Sequence, residues 1–417
     1  MPLTETFPSV TRIRSDFPAL ARLAGGKPVV YFDGPGGTQV PRPVAEAVVA
    51  YLYHHNANTH WAYPTSIETD AALAGARDVF AAFLNGHSEE IAFGANMTTL
   101  TMHLARALVR TWGPGDEIVV TELDHHANVD PWIEAARDRD LTVRRVRLLP
   151  ESGTLDWDDL ERQLSPRTRL LAIGAASNAL GTITDVAAAA RLAHAVGALV
   201  FVDGVHYAPH RLPDVRALEC DGFACSAYKF YGPHVGVMWL MRDLFAAAPF
   251  PRLVPAWDAP PERAETGTLN HEGIVGAAAA IEWLADLAGP DGDLRSRLGR
   301  TFAALHERSE DLLRELWDGL AELPGVELFG PPPGAPRTPT VAFATDDLSS
   351  EALARQLGRA GIYLSHGDFY AHTVVQRLGR QPDGIARAGC ACYTSPEDVG
   401  RLLEGIRLLT ARESLPV

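Results

Sequence analysis

Lysine is nearly absent from this chain. Of its 37 lysines and arginines only Lys27 and Lys229 are lysine, and Lys229 lies in "CSAYKFYGPHVG", between an apolar run and a Tyr-Gly-Pro turn. A guanidinium stays charged at any working pH, so arginine cannot replace a lysine that must lose its proton and attack a carbonyl. A partly desolvated lysine can, because burial disfavours the ammonium and leaves a nucleophilic amine. Upstream, "VFVDGVHYAPH" ends an apolar run at Asp203 and turns at once through Gly204. Ligands of open α/β sheets collect outside the carboxyl ends of the strands, which makes Asp203 a candidate for a buried, paired carboxylate.

A Schiff-base lysine beside a carboxylate from a neighbouring strand is what pyridoxal 5′-phosphate requires. The lysine holds the cofactor aldehyde, and the carboxylate keeps the pyridine nitrogen protonated so that the ring accepts electrons. The stretch "FGANMTTLTMHLARALV" offers a place for the phosphate: a small-residue loop enters a helix with Leu100, Leu104 and Leu108 on one face. Backbone N–H groups near Met97 and Thr98 would face the anion, favoured by the helix dipole.

The elements that must hold these residues follow a strand–helix alternation. "EIVVTE" from Glu117, "LTVRRVRLL" from Leu141, "RLLAIGAA" from Arg169, "ALVFVDG" from Ala198 and "GFACS" from Gly222 read as strands. Helical stretches such as "TDVAAAARLAHAVG" lie between them. That alternation predicts an α/β fold with a mostly parallel sheet covered on both faces. A proline-rich acidic segment over about 250–275 reads as a long surface loop, then helices are expected from Ile274 to Ala288 and from Leu294 to Leu323. Short strands and a last helix from Pro396 complete a separate α+β unit.

Composition narrows the function classes. A formal charge of −15 argues against a general nucleic-acid or anionic-membrane binder, since both need a cationic face. No apolar run approaches the roughly 20 residues a membrane helix needs. The first residues lack the apolar core of a signal peptide, so a cytoplasmic protein is expected. The four cysteines, Cys220, Cys225, Cys390 and Cys392, form no C-x-x-C pair, which argues against a zinc site and for small buried hydrophobes.

Seven segments, in order, carry a family resemblance: "YFDGPGG", "TELDHHANVDPW", "ASNALGT", "VDGVHYAPH", "SAYKFYGPHVG", "AETGTLN" and "ARAGCACY". The chain resembles the fold-type I pyridoxal phosphate enzymes of aminotransferase class V, most of all the cysteine desulfurases and selenocysteine lyases. The resemblance implies a large domain over 31–285 with a seven-stranded, mostly parallel sheet. It also implies a small C-terminal domain over 286–417, an N-terminal segment (1–30) packed on the small domain, and a homodimer with shared active sites. Lys229 is then the Schiff-base lysine, Asp203 the partner of the pyridinium, and His125 the ring that stacks on the cofactor. Asn178 and His206, which replaces a family glutamine, fall at the cofactor's phenolic oxygen. Met97, Thr98, Ser226 and Tyr228 fall at the phosphate, joined by Thr268 from a second subunit. Gly36, Gly37 and Asn178 line the substrate space, and Arg387 clamps the substrate carboxylate with its bidentate fork.

One departure bears on the reaction. In cysteine desulfurases a mobile loop carries the cysteine that takes up sulfur, and the matching stretch "GIYLSHGDFYAHTVV" holds none. Tyr370 falls about where that cysteine is expected, and Ser365 stands near the place of a family arginine. What the resemblance leaves is machinery for removing the α-proton of a small amino acid. Elimination of a β-substituent is the favoured outcome, with His366, Asp368 and Tyr370 as the loop groups that decide it. Transamination, epimerisation and a non-catalytic role as a sulfur-transfer partner are the alternatives.

Overall fold

The computed structural model describes residues 7–411. Seven strands form the main sheet: β1 (Ile91–Gly94), β2 (Glu117–Thr121), β3 (Thr142–Val146), β4 (Thr168–Gly174), β5 (Leu199–Asp203), β6 (Gly222–Ser226) and β7 (Gly236–Leu240). Their spatial order is β1-β7-β6-β5-β4-β2-β3, parallel throughout except for β7, which runs against both of its neighbours. Five of the strands are those expected from the sequence. The other two, β1 and β7, are a four- and a five-residue run without alternation. Such short apolar runs carry no period that separates strand from buried helix.

Alternation along each strand divides the interior into two layers. Val119, Leu171, Val200, Val202 and Phe223 face one way, together with Phe80, Ala189 and Ile281 from the helices on that side. Ile118, Val120, Leu170, Ala172, Phe201 and Ala224 face the other way, with Leu100, Leu104 and Trp132. Both faces being covered accounts for strands that read as continuous apolar runs. On the second face lies helix α1 (Met97–Leu108), whose N-cap Asn96 accepts from the Thr99 N–H. Its Leu100, Leu104 and Leu108 are all buried, as their spacing requires.

The C-terminal part has its own sheet of β8 (Val326–Phe329), β9 (Thr340–Thr345), β10 (Ser365–Gly367) and β11 (Ile385–Gly389), in the order β8-β9-β11-β10. Leu312, Leu316, Leu353, Leu402 and Ile406 cover it. The segment before residue 30 touches both parts. Phe17 meets Tyr231 and Trp283 edge-on and also Tyr393, while Arg14 bonds the Tyr393 carbonyl and Asp398. Helix α2 (His271–Asp286) starts before the expected Ile274 because Asn270 caps the Gly273 N–H. Among the described residues no helix is long and apolar enough to cross a membrane.

The loop ahead of α2 is fixed by one buried acid. Glu265 takes a two-pronged ion pair from Arg77, at 2.8 and 2.9 Å, and also accepts from the Phe93 N–H on β1 at 2.8 Å. Removing one partner of a buried pair leaves the other charge unpaired. Glu265→Ala is expected to cost roughly 3–5 kcal/mol in urea unfolding; a loss under about 1 kcal/mol would mean that the pair is only a surface contact.

Candidate active site

The main sheet places its chemistry at one end. Register sets Asp203, the last residue of β5, beside Gly174 of β4 and Ala224 of β6. β6 ends at Ser226, and a single tight turn then carries Lys229. The parallel strands therefore deliver carboxylate and amine to the same rim, although 26 residues separate them in the chain.

Lys229 is held by backbone. Its Nζ donates to the carbonyls of Pro35 and Gly36, at 2.6 and 2.9 Å, and lies 4.8 Å from the centre of the Tyr228 ring. The loop that supplies those carbonyls is tied by the N–H groups of Gly36 and Gly37, both donating to the Asp33 carbonyl at 2.9 Å. Gly36 has a steric reason to be glycine, since a Cβ there would fall 2.4 Å from the Asp33 carboxylate. Burial and the nearby Arg387 cation bring Lys229 down to about 7, against the pull of Asp33 and Asp203. Asp203 is itself raised to about 6 by burial, opposed by the Val205 N–H and by Lys229.

Around this pair the other expected residues fall as follows. His125 is lowered to about 4 by burial and by Lys229, so its ring is neutral at pH 7. Its Nδ1 accepts from the Ala127 N–H, which leaves the proton on Nε2. Ser226 Oγ accepts from the Met97 N–H at 3.0 Å, joining the end of β6 to the start of α1, where Thr98 is half-buried. Tyr228 stacks on His234. Thr268 is exposed on the loop that Glu265 anchors and has no hydrogen bond to Ser226 or Met97 among the described residues.

Arg387 comes from the second sheet, on β11, and is buried. Nη1 donates to the Asn178 carbonyl at 2.7 Å, while Nε and Nη2 both donate to Ser365 Oγ. Its guanidinium carbon lies 4.0 Å from the centre of the Phe369 ring. His366, the residue after Ser365, is exposed, and strand alternation turns it away from the arginine. His206 is not free at the rim either. Its Nε2 lies 3.0 and 3.2 Å from the hydroxyls of Thr338 and Thr340, in the C-terminal part, and burial keeps the ring neutral.

The loop after β10 closes over the site. Asn178 Nδ2 donates to the Phe369 carbonyl and the His126 N–H to the Tyr370 carbonyl. Phe369 and Tyr370 are both left-handed, with φ of 56°, a conformation that bulky residues adopt only where the surroundings hold it. Tyr370 stacks on His125 with centroids 5.5 Å apart, yet is 74% exposed.

Two buried oxygens here have no hydrogen-bond partner among the described residues, Asn178 Oδ1 and Asp33 Oδ1, the latter 4.0 Å from Arg387 Nη2. Buried polar atoms left unpaired cost free energy unless something binds them, so these mark ligand space beside Arg387. With the depressed amine, the strand-end carboxylate and the Ser226–Met97 corner, the site fits pyridoxal 5′-phosphate. Sequence reasoning assigned no role to Asp33, Asp124, Phe369, Thr338 or Thr340. Asp33 and Asp124 lay inside the quoted motifs, but nothing in their spacing marks their contacts.

A mixed sheet with this order, and a lysine, carboxylate and arginine converging at its rim, defines the fold-type I architecture of pyridoxal phosphate enzymes. The chain belongs to the aminotransferase class-V family, whose pattern matches residues 30–402. Its relatives include the cysteine desulfurase of Pectobacterium carotovorum, 33% identical over 420 residues covering 95% of this chain and 97% of the relative. That of Klebsiella pneumoniae is 34% identical over 419 residues, covering 96% and 98%. Among solved structures, the apo cysteine desulfurase of Thermococcus onnurineus superposes with a TM-score of 0.86 at 27% identity, covering 96% of this chain and 98% of that one. The Escherichia coli cysteine desulfurase CsdA, in an S-sulfonic acid form, gives 0.82 at 29% identity, covering 95% and 97%.

The depressed lysine gives a direct measurement. In the apoprotein, reductive labelling of Lys229 with a small aldehyde should be half-maximal near pH 7, read by peptide mass spectrometry with the exposed Lys27 as internal comparison. Labelling of Lys229 that begins only above about pH 9.5 would show an ordinary ammonium instead.

Proposed function

We propose that this chain is a pyridoxal 5′-phosphate-dependent enzyme that removes the α-proton of a small amino acid and expels a substituent from its β-carbon. The most direct reading is a carbon–sulfur lyase that uses no persulfide cysteine. One observation carries the reading: the amine, carboxylate and arginine of the site are intact, while no thiol is in a position to act. The segment 361–375 contains no cysteine, and all four cysteines are buried. Burial pushes Cys390 and Cys392 up to about 12, and Cys220 and Cys225 upward as well. A thiol acts as its exposed thiolate, so none of these is suited to accept sulfur.

When bound, the cofactor supplies an electron sink for the charge left on the α-carbon. Lys229 would anchor it and, once displaced by the substrate's amino group, would take the α-proton as the free amine that its burial favours. Asp203 holds the ring nitrogen protonated, and the neutral His125 covers the ring. Asn178 and His206 border the phenolic oxygen, with His206 kept in place by Thr338 and Thr340. Met97, Thr98, Ser226 and Tyr228 hold the phosphate. Arg387 orients the substrate carboxylate, and Gly36 and Gly37, without side chains, leave room for the substrate beside it. Phe369 and Tyr370 lie over Arg387 and His125, and Asp368, which accepts from the Tyr370 N–H, sets the loop that decides the outcome. His366 faces away and is not required.

A homodimer belongs to this reading. Tyr53, Trp61, Tyr63, Val254 and Trp257 are exposed, Val254 at 95%, and His60 stacks on Trp257. Such a cluster of exposed apolar side chains fits a subunit interface, and Thr268 lies on the same loop-rich part of the chain. The reading includes a large domain over 31–285 and a small one over 286–417, which is supported by the seven-stranded sheet lying in the first range and the four-stranded sheet in the second.

The experiment is an amino-acid panel containing cysteine, cystine, selenocysteine, aspartate and alanine. Ammonia and keto acid are scored separately from pyridoxamine phosphate, and thiols are titrated in native buffer. Keto acid and ammonia should form, Lys229→Ala should abolish them, and fewer than one thiol per chain should react. A persulfide on any cysteine after turnover would refute the cysteine-free route, and accumulation of pyridoxamine phosphate would make the enzyme an aminotransferase.

A further inference from the structure

Beneath Asp203 lies a second carboxylate with no assigned part. Asp124 is buried just before His125. Its Oδ1 accepts from the Gly174 N–H at 2.7 Å and its Oδ2 from Asn128 Nδ2 at 3.0 Å. Gly174 is the β4 residue paired with Asp203, and the next N–H, that of Ala175, donates to the Asp203 carbonyl at 2.9 Å. The two acids are thus tied to consecutive peptide groups of one strand end. Gly174 makes the room: a Cβ there would stand 2.5 Å from Asp124 Oδ1.

Two of the groups that hold Asp124, the Gly174 N–H and Asn128 Nδ2, can only donate, so each of its oxygens already accepts a hydrogen bond as a carboxylate would. Yet the charged neighbour is another acid, Asp203, with the Lys229 cation beyond it acting on Asp203. Two buried like charges disfavour each other unless a cation joins them.

From this geometry we infer that Asp124 is a positioning residue that makes, with Asp203, a two-carboxylate seat for the cofactor's protonated ring nitrogen, acting on that nitrogen through Asp203. The inference rests on the cofactor reading above. In the apoprotein the seat lacks its cation. Burial and Asp203 hold Asp124 up at about 8, against an ordinary value of 3.8. Between those two values the folded chain keeps a proton that the unfolded chain has released. That contribution to stability is present at low pH and is lost as pH rises through about 8.

The test uses apoprotein and cofactor binding. Measured against Asp124→Asn, which cancels the opposite trend that Lys229 sets up above about pH 7, the thermal midpoint of wild-type apoprotein should fall as pH rises from about 5 to 8 and level off above. Pyridoxal 5′-phosphate, titrated by fluorescence at pH 8, should bind Asp124→Asn about three- to tenfold more weakly than wild type. Asp124→Glu, which keeps the charge, should keep both the wild-type fall and, within about twofold, the wild-type affinity. Wild-type protein that takes up no cofactor would sink the function reading. Wild-type uptake combined with unchanged affinity and pH profile in Asp124→Asn would overturn the two-carboxylate seat alone. Should Asp124→Asn fail to fold, loss of the fall or of the affinity in Asp124→Glu overturns it equally.

Discussion

The site depends on keeping an amine and a guanidinium buried in one small space. Arg387 disfavours a charge on Lys229, and burial disfavours a charge on both. Desolvation of that size is tolerated only where the geometry is fixed and the remaining donors are satisfied. The strand ends provide the first condition, since β5 and β6 are central in a sheet covered on both faces. Carbonyls provide the second: Pro35 and Gly36 for the lysine, Asn178 for the arginine. The same strain makes the amine useful, because an ammonium in that position is the form the surroundings oppose.

Much of this was legible in the sequence, for identifiable reasons. Lys229 stood out because lysine is scarce, and Asp203 because an apolar run stopped at an acid followed by glycine. The central strands announced themselves by apolar runs of the right length. Strands β1 and β7 did not, being short and without alternation. The contact of Asp124 with Gly174 was hidden because it depends on the register of β2 against β4, which no local pattern encodes. Ser365 and Arg387 meet across two strands of the second sheet, and His206 meets Thr338 across a still longer separation. His366 was expected in the site from its place in the loop; the pleat decides otherwise by a single residue.

The loop over the site shows how backbone conformation and chemistry are joined. Two successive non-glycine residues in the left-handed region cost free energy that only tertiary contacts can offset. Here the offset comes from the site itself: Phe369 lies against Arg387, Tyr370 lies against His125, and both carbonyls are taken by donors from the main-sheet part. The loop's shape is therefore a consequence of the residues it covers, and not only a lid laid upon them.

Asn178 gives that relation a mechanical form. Its backbone carbonyl receives Arg387 and its side-chain amide holds the Phe369 carbonyl, so one residue grips the buried arginine with one hand and the loop above it with the other. Any shift of the guanidinium away from that carbonyl therefore bears on the same residue that holds the loop. The place of the arginine and the place of the loop are parts of one lever, with Asn178 as its pivot.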